Sequence, residues 1–334
     1  MIKETDYKVS VVIATYNEEK YILNALSSLY KQDIGYSNLE IIIIDGGSND
    51  NTIELILTEQ QKHDNIFLFD NPQKISPVAF NIGIKNSTAP YILLMSAHSE
   101  YPSNYISLLY QEILDVKCDL IGGYAKTVAL NKNKKTQSII SVFQNKLGLG
   151  GAKVRTGVDR LTEVDTATGL FDRNIFNKVG LFNEKLIRHQ DMELSKRIKN
   201  SGGKIFITPK VTFNYFVRES FSELWKNNFR NGKWVPITVA ITKQKDSLSL
   251  RHFIPLIFVS TLIVLTILST ISIYFLGLNI LLILLYFSVI FFTSLKMWNK
   301  ETSLFNLIGT FLTLHFSYGL GSLIGLMRVD KIFH

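Results

Sequence analysis

From Phe253 to Leu295 the chain carries no charged residue, and a second uncharged run covers Thr302–Met327. No other feature narrows the fold as much. A bilayer span takes about 20 apolar residues, so the first run is long enough for two. Gly277-Leu278-Asn279 interrupts it near its middle, which predicts helices over about 253–276 and 280–296 joined by a tight hairpin. The second run predicts a third helix, about 303–327, set apart by the polar stretch Lys296–Glu301. Three such helices in succession argue against the core helices of a soluble protein and for a membrane region at 251–334. Within the third run, Gly319, Gly321 and Gly325 are small residues that let helices approach closely in lipid, and His315 needs a partner there.

Charge sharpens the division. The chain has 334 residues, a net charge of +8 and 46% hydrophobic residues. Its polar start, Met1–Ser10, predicts no secretory signal peptide. Basic residues gather in Lys126–Lys135, Lys204–Lys210 and Lys226–Arg251, the last just ahead of the apolar region, where anionic lipid would attract them. No zinc-finger, RNA-recognition or basic-helix pattern points to nucleic acid. The single cysteine, Cys118, excludes an intramolecular disulfide and reads as a small core hydrophobe. Lys296 and Lys300 favour the cytosolic side by the positive-inside tendency, while Arg328 and Lys331 would then fall outside if the third helix spanned fully. A re-entrant or interfacial third helix resolves that conflict.

Residues 1–250 read as a separate domain. Val9–Ala14, Leu39–Ile44, Ile66–Phe69, Tyr91–Met95 and Leu120–Gly123 are short apolar runs of strand character, and Glu18–Tyr30 and Asn51–Gln61 have helical spacing. Strand and helix in alternation predict an α/β fold, a wound and mostly parallel sheet with flanking helices. Ligands of such sheets bind beyond the carboxyl ends of the strands. There the sequence places Thr15-Tyr16-Asn17-Glu18-Glu19 and Asp45-Gly46-Gly47-Ser48-Asn49-Asp50. As turn and cap chemistry these residues need no function. As two polar clusters at adjacent strand ends they suggest a crevice, with the Asp45 carboxylate able to accept from a base N–H or a ribose hydroxyl. The chain has neither a Gly-x-Gly-x-x-Gly fingerprint nor a P-loop, which weakens NAD and ATPase readings.

These two clusters resemble the start of a family 2 glycosyltransferase of GT-A fold. Further segments resemble its succinoglycan-biosynthesis branch: Ala97-His98-Ser99-Glu100-Tyr101-Pro102, Gly148-Leu149-Gly150-Gly151-Ala152, Val164-Asp165-Thr166 and Gln190-Asp191-Met192-Glu193-Leu194. Tyr215-x-x-Arg218, Gly232-Lys233-Trp234 and His315-x-Ser317-Tyr318-Gly319-x-Gly321 extend the likeness over nearly the whole chain. It is the order and spacing of the pieces that carry it.

The resemblance implies roles. Thr15, Tyr16, Asn17, Glu18, Asp45, Gly47, Ser48, Asp50, Ser96 and His98 would border the nucleotide-sugar, and Asp165, Gly169, Gln190 and Trp234 the acceptor. Asp191 matches the general base of inverting members; read locally it is also a first-turn acid of a helix over about 191–200. The family commonly uses a divalent metal, Mn²⁺ or Mg²⁺, held by Asp-x-Asp or Asp-Ala-His after the fourth strand. This chain has Ser96-Ala97-His98, so the first acid is missing and His98 is the metal candidate left.

The function implied is transfer of a sugar from a nucleotide-sugar, UDP by family weight, to a lipid-linked saccharide in extracellular or capsular polysaccharide synthesis. The enzyme would be a multi-pass protein of the cell membrane with its catalytic domain in the cytosol, open to membership of a glycan assembly complex. A polyprenyl-phosphate sugar synthase shares the same features, and an inactive membrane scaffold accounts for the lost acid. A processive synthase fits less well: Asn227-Asn228-Phe229-Arg230-Asn231 is not a Gln-x-x-Arg-Trp motif, and the spans are few.

Overall fold

Seven consecutive buried residues, Leu39–Asp45 (β2), show what organises the N-terminal half: a β-branched run enclosed on both faces. The computed structural model describes residues 7–97, 99, 101–149, 157–243 and 250–329. By contact they form two compact units, Met1–Lys126 with Lys153–Tyr215 and Thr127–Ala152 with Phe216–His334.

The first unit is built on one eight-stranded sheet, in which β2 is joined by Val9–Thr15 (β1), Ile66–Asp70 (β3), Tyr91–Ser96 (β4), Leu120–Val128 (β5), Thr162–Glu163 (β6), Leu170–Asp172 (β7) and Ile205–Phe216 (β8). The strand order is β3-β2-β1-β4-β7-β5-β8-β6. β3, β2, β1 and β4 are parallel, as continuous apolar strands with helical crossovers should be. β7 runs antiparallel to both β4 and β5, and β6 antiparallel to β8, so the sheet is mixed rather than mostly parallel. The reason is local: short strands reached through loops need no helical crossover and can reverse direction. Apolar side chains fill both faces, with Val11, Ile13, Ile41 and Ile43 in one core and Val12, Ile42 and Ile44 in the other.

The helices Ile22–Tyr30 and Thr52–Gln60 appear where the spacing puts them, with Ile22, Leu26 and Leu29 buried on one face. Ser76–Asn86, with Pro77 in its first turn, and Tyr105–Val116 complete the crossovers. Cys118 is buried, and desolvation, reinforced by Asp119, pushes its thiol up to about 12, as befits a core residue rather than a nucleophile.

The second unit is helical. Lys134–Gln144 opens with a capping box in which Asn133 accepts from Thr136 N–H and Thr136 reaches back to Asn133 N–H. Phe221–Thr242 starts at Ser220, whose hydroxyl accepts from Glu223 N–H at 3.2 Å. The apolar region forms Ile254–Leu268, Ile273–Met297 and Leu304–Leu326. Only the last two are long and apolar enough to be candidate membrane spans, so two stand where three were expected. The break in the first apolar run also lies elsewhere. It falls at Ser269–Ser272, and the chain stays helical through Gly277 and Asn279. Ser272 accepts from Tyr274 N–H and so starts a new helix, while inside that helix Asn279 Nδ2 donates to Thr266 Oγ1 at 3.0 Å.

Leu304–Leu326 differs from its neighbour. Nine of its 23 residues are buried, against three of the 25 in Ile273–Met297. It lies along Phe221–Thr242, where a side chain at Gly321 would stand 2.2 Å from the Phe229 carbonyl oxygen; only glycine permits that approach. Asn228 Nδ2 donates to Leu314 O at 2.6 Å and Ser317 Oγ at 2.9 Å, and Ser322 Oγ donates to Gly232 O at 3.0 Å.

Candidate functional site

Parallel register assembles the first part of the site. Thr15 pairs with Asp45, Asp45 with Asp70 and Ala14 with Ser96, so four strands end along one edge of the sheet. The Asp45 carboxylate is buried there, and its Oδ2 accepts from the N–H groups of Gly47 and Ser48, both at 2.7 Å. Its Oδ1 accepts from the Ser48 hydroxyl at 2.6 Å and the Thr15 hydroxyl at 3.2 Å. A carboxylate offers about four lone-pair sites, so these donors fill it. In this structure Asp45 holds the turn in shape, and Gly47 and Asn49 present the turn's exposed surface.

A second set of bonds laces this turn to the segment after β1. Asn17 lies in the left-handed region at φ 57°, which Asn tolerates better than branched residues. Its N–H donates to Ser48 Oγ at 2.8 Å, and its Oδ1 accepts from Asn49 N–H at 2.9 Å. Glu18 N–H donates to Thr52 Oγ1 at 2.7 Å, and Glu19 N–H to Asp50 Oδ2 at 3.2 Å. Asp50 also accepts from Thr52 N–H at 3.0 Å and its hydroxyl at 2.6 Å. Desolvation alone would raise the Asp50 carboxyl; the hydrogen bonds from Thr52 and Glu19 outweigh it and hold the group below the usual carboxylate range. Thr15, Tyr16, Asn17, Glu18, Asp45, Gly47, Ser48 and Asp50 are thus one connected cluster.

Lys74 belongs with them and escaped the sequence reading. It follows β3, its Nζ lies 5.8 Å from the centroid of the Tyr16 ring, and it too has a left-handed backbone, φ 58°. The loop is tied to the same strand end by Asn71 N–H, which donates to Asp45 O at 2.7 Å. The signal was available: Asn71-Pro72-Gln73-Lys74 is a third polar cluster just beyond a strand.

At the end of β4, Ser96 is exposed, and its N–H donates to the Tyr101 hydroxyl at 3.1 Å. His98 and Glu100 lie outside the described residues. Among the described residues no three His, Cys, Asp or Glu side chains gather as a metal site. Of the Ser96-Ala97-His98 segment the described residues offer one neutral hydroxyl, a poor ligand for a hard divalent cation.

Asp191 stands in the first turn of Gln190–Asn200, half-buried beside Gln190. Desolvation pushes its carboxyl up from the usual range, against the downward pull of the N–H groups of Met192 and of Asp191 itself. His189, immediately before this helix, has φ 62°. Behind Asp191 the helix is fixed by Arg197. Its Nε and Nη2 grip the Glu193 carboxylate at 2.8 and 2.9 Å, its Nη1 donates to Val179 O and Gly180 O, and its Nη2 also donates to Leu181 O. Asn81 pairs with Phe182 through N–H and carbonyl, both at 2.9 Å, and so secures the chain that leads back to Asp191.

The residues expected at the acceptor are less uniform. Asp165 is exposed, and the neighbouring Thr166 accepts from Ser195 Oγ at 3.2 Å, which ties its segment to the Asp191 helix. Gly169 is buried in the sheet; a side chain there would meet Ile121 O at 2.2 Å, so its smallness serves the approach of β7 to β5. Trp234 lies half-buried on Phe221–Thr242 in the second unit.

Comparison with known proteins bears on the family and the fold. The chain is 28% identical over 233 residues to a dolichyl N-acetyl-alpha-D-glucosaminyl phosphate 3-beta-D-2,3-diacetamido-2,3-dideoxy-beta-D-glucuronosyltransferase of Methanococcus voltae, over 67% of this chain and 71% of that one. It is 28% identical over 225 residues to the succinoglycan biosynthesis protein ExoA of Rhizobium meliloti (strain 1021), over 67% of each. Its fold is similar to the crystal structure of S. aureus TarS 1-349, at a TM-score of 0.50 and 16% identity over 98% of this chain and 91% of that one. Residues 10–180 match the domain described as Glycosyl transferase family 2. With that match spanning half of its length, and with its polar strand ends in place, the chain belongs to glycosyltransferase family 2.

Proposed function

We propose that this protein is a membrane-anchored, inverting transferase that moves a sugar from a UDP-sugar onto a saccharide already attached to a lipid carrier. The observation that carries this reading is the connected polar rim at the strand ends, with the exposed Tyr16 ring and Lys74 side by side on it. The ring offers a face on which a nucleobase can stack, and the ammonium offers positive charge to a diphosphate. Asp191 takes the proton from an acceptor hydroxyl while that oxygen attacks the anomeric carbon. The bond from that carbon to the diphosphate breaks, and its electron pair leaves with UDP. A carboxyl raised by desolvation is a stronger base than an exposed one. The named relatives support a lipid-linked acceptor and surface polysaccharide synthesis. Nucleotide-sugars are made in the cytosol, so the catalytic domain is assigned to that side, held there by the C-terminal helices.

The test is UDP release from a panel of UDP-sugars by the detergent-solubilised full chain, supplied with a lipid-pyrophosphate saccharide and with Mn²⁺, Mg²⁺ or EDTA. One donor should give release that Asp191→Asn abolishes, with the new sugar on the saccharide. A sugar attached directly to a lipid monophosphate would replace this reading with a polyprenyl-phosphate sugar synthase. Absence of donor binding in a parallel titration would leave a scaffold.

A further inference from the structure

Two lysine groups far apart in sequence lie on segments that touch in the second unit. Lys132, Lys134 and Lys135 lie at and before the start of Lys134–Gln144; Lys296 precedes the turn between the two candidate spans and Lys300 lies in it. The turn is fastened to that helix at both ends. Ser303 N–H donates to Ser138 Oγ at 3.0 Å, one turn beyond Lys134 and Lys135, and Asn145 Nδ2 lies 3.3 Å from Met297 Sδ. Lys132, Lys134, Lys296 and Lys300 are exposed, and Lys135 is half-buried. The acids beside them are Glu301, exposed, and Glu219, whose carboxylate is taken by Asn131 N–H and Nδ2, both at 2.8 Å. Around the lysines the surface is apolar and uncovered: Trp298 is 57% exposed, Leu130 62% and Phe305 84%.

We infer that this patch is a docking surface for the anionic headgroups of the lipid bilayer. The inference rests on the membrane reading above. Only three of the 25 residues of Ile273–Met297 are buried, and its last turn carries Lys296 with Trp298 as the cap, so the patch continues the surface that lipid covers. A tryptophan and lysines at the end of an apolar helix mark the headgroup level, where an aromatic ring has one wet and one apolar side. Five lysines against two glutamates leave the patch positive, and a basic residue close to a charged leaflet contributes about 1 kcal/mol before screening. The lysine stems can lie on the apolar rim while their ammonium groups reach phosphate. Neither segment makes this surface alone; the Ser138–Ser303 contact does.

Trp298 reports on the patch if Trp225 and Trp234 are replaced by Phe. The full chain, reconstituted in nanodiscs of phosphatidylcholine and phosphatidylglycerol, is read twice at one composition, with bromine on only one lipid each time. Brominated phosphatidylglycerol should quench Trp298 at least about twofold more than brominated phosphatidylcholine at equal mole fraction of label. The ratio should fall to about one in salt near 1 M, where the Debye length is about 3 Å. It should fall likewise when the five lysines are changed to Gln. Equal quenching by both labels overturns this inference alone. Absence of quenching by either overturns the membrane reading with it. A ratio unchanged by salt removes the electrostatic basis, so the inference does not depend on the five-fold variant folding.

Discussion

Asp191 is where stability and reactivity pull apart. A carboxyl whose folded value is raised above its unfolded value adds stability while protonated and loses it as pH climbs through the folded value. At neutral pH its charge therefore costs stability, and Asp191→Asn should melt no lower than the parent, with the gap widening as pH rises. Turnover should drop about 10²–10⁴-fold, and the acid limb of the pH–rate profile should disappear. Melting curves and initial rates across pH check both. Ser96 gives a second residue-scale prediction. A carboxylate at its exposed position restores a hard oxygen ligand, so Ser96→Asp should tighten Mn²⁺ binding about tenfold, read from the Mn²⁺ resonance spectrum rather than from turnover. At this scale the strand-end residues were legible because Asp, Asn, Ser and Gly after an apolar run have few reasons to cluster. What holds Asp45 in place was not legible: its oxygens accept from Thr15, Gly47 and Ser48, donors that only the folded turn brings together.

Elements act through how they are held. Gln190–Asn200 presents Asp191 from its first turn, and Arg197 spends its guanidinium donors joining that helix to the Val179–Leu181 turn. Arg197→Ala leaves the Glu193 carboxylate, mostly buried, without its partner. It should cost about 2–3 kcal/mol of stability. Arg197→Lys keeps the charge and loses the fork, so it should recover only part of the melting temperature. If Arg197 also positions Asp191, turnover falls in Arg197→Lys while the donor KM stays put, and steady-state kinetics decide it. The central strands were legible from sequence because β1 and β2 are unbroken apolar runs. β6 and β7 were not, since strands of two and three residues carry no period. The helix break was misplaced for a related reason: Gly277 and Asn279 are poor helix formers in water, but in this helix Gly277 stands where a side chain would meet nothing within 4 Å, and Asn279 donates to Thr266.

Across the whole molecule, composition and contact divide the chain differently. Hydropathy changes at residue 251, whereas the second compact unit draws in Thr127–Ala152 and everything from Phe216 onward. Phe221–Thr242 is charged along much of its length and reads as part of a soluble domain, yet its Asn228 amide and Gly232 carbonyl find their partners on Leu304–Leu326. A fragment ending at residue 250 would expose that face. It should be recovered largely as aggregate, where the full chain in detergent elutes as one species; size-exclusion chromatography of both checks this.

The same contact bears on how the protein is made. On the membrane reading proposed above, Ile273–Met297, whose most apolar stretch has a mean hydropathy of 2.5, enters lipid on its own merit, whereas that of Leu304–Leu326, at 1.4, has weaker claim to do so. Its glycine-lined side fits a helix the ribosome completed earlier, Phe221–Thr242. On that reading the order of synthesis matters: Phe221–Thr242 precedes the last apolar segment, which then closes against a helix already made.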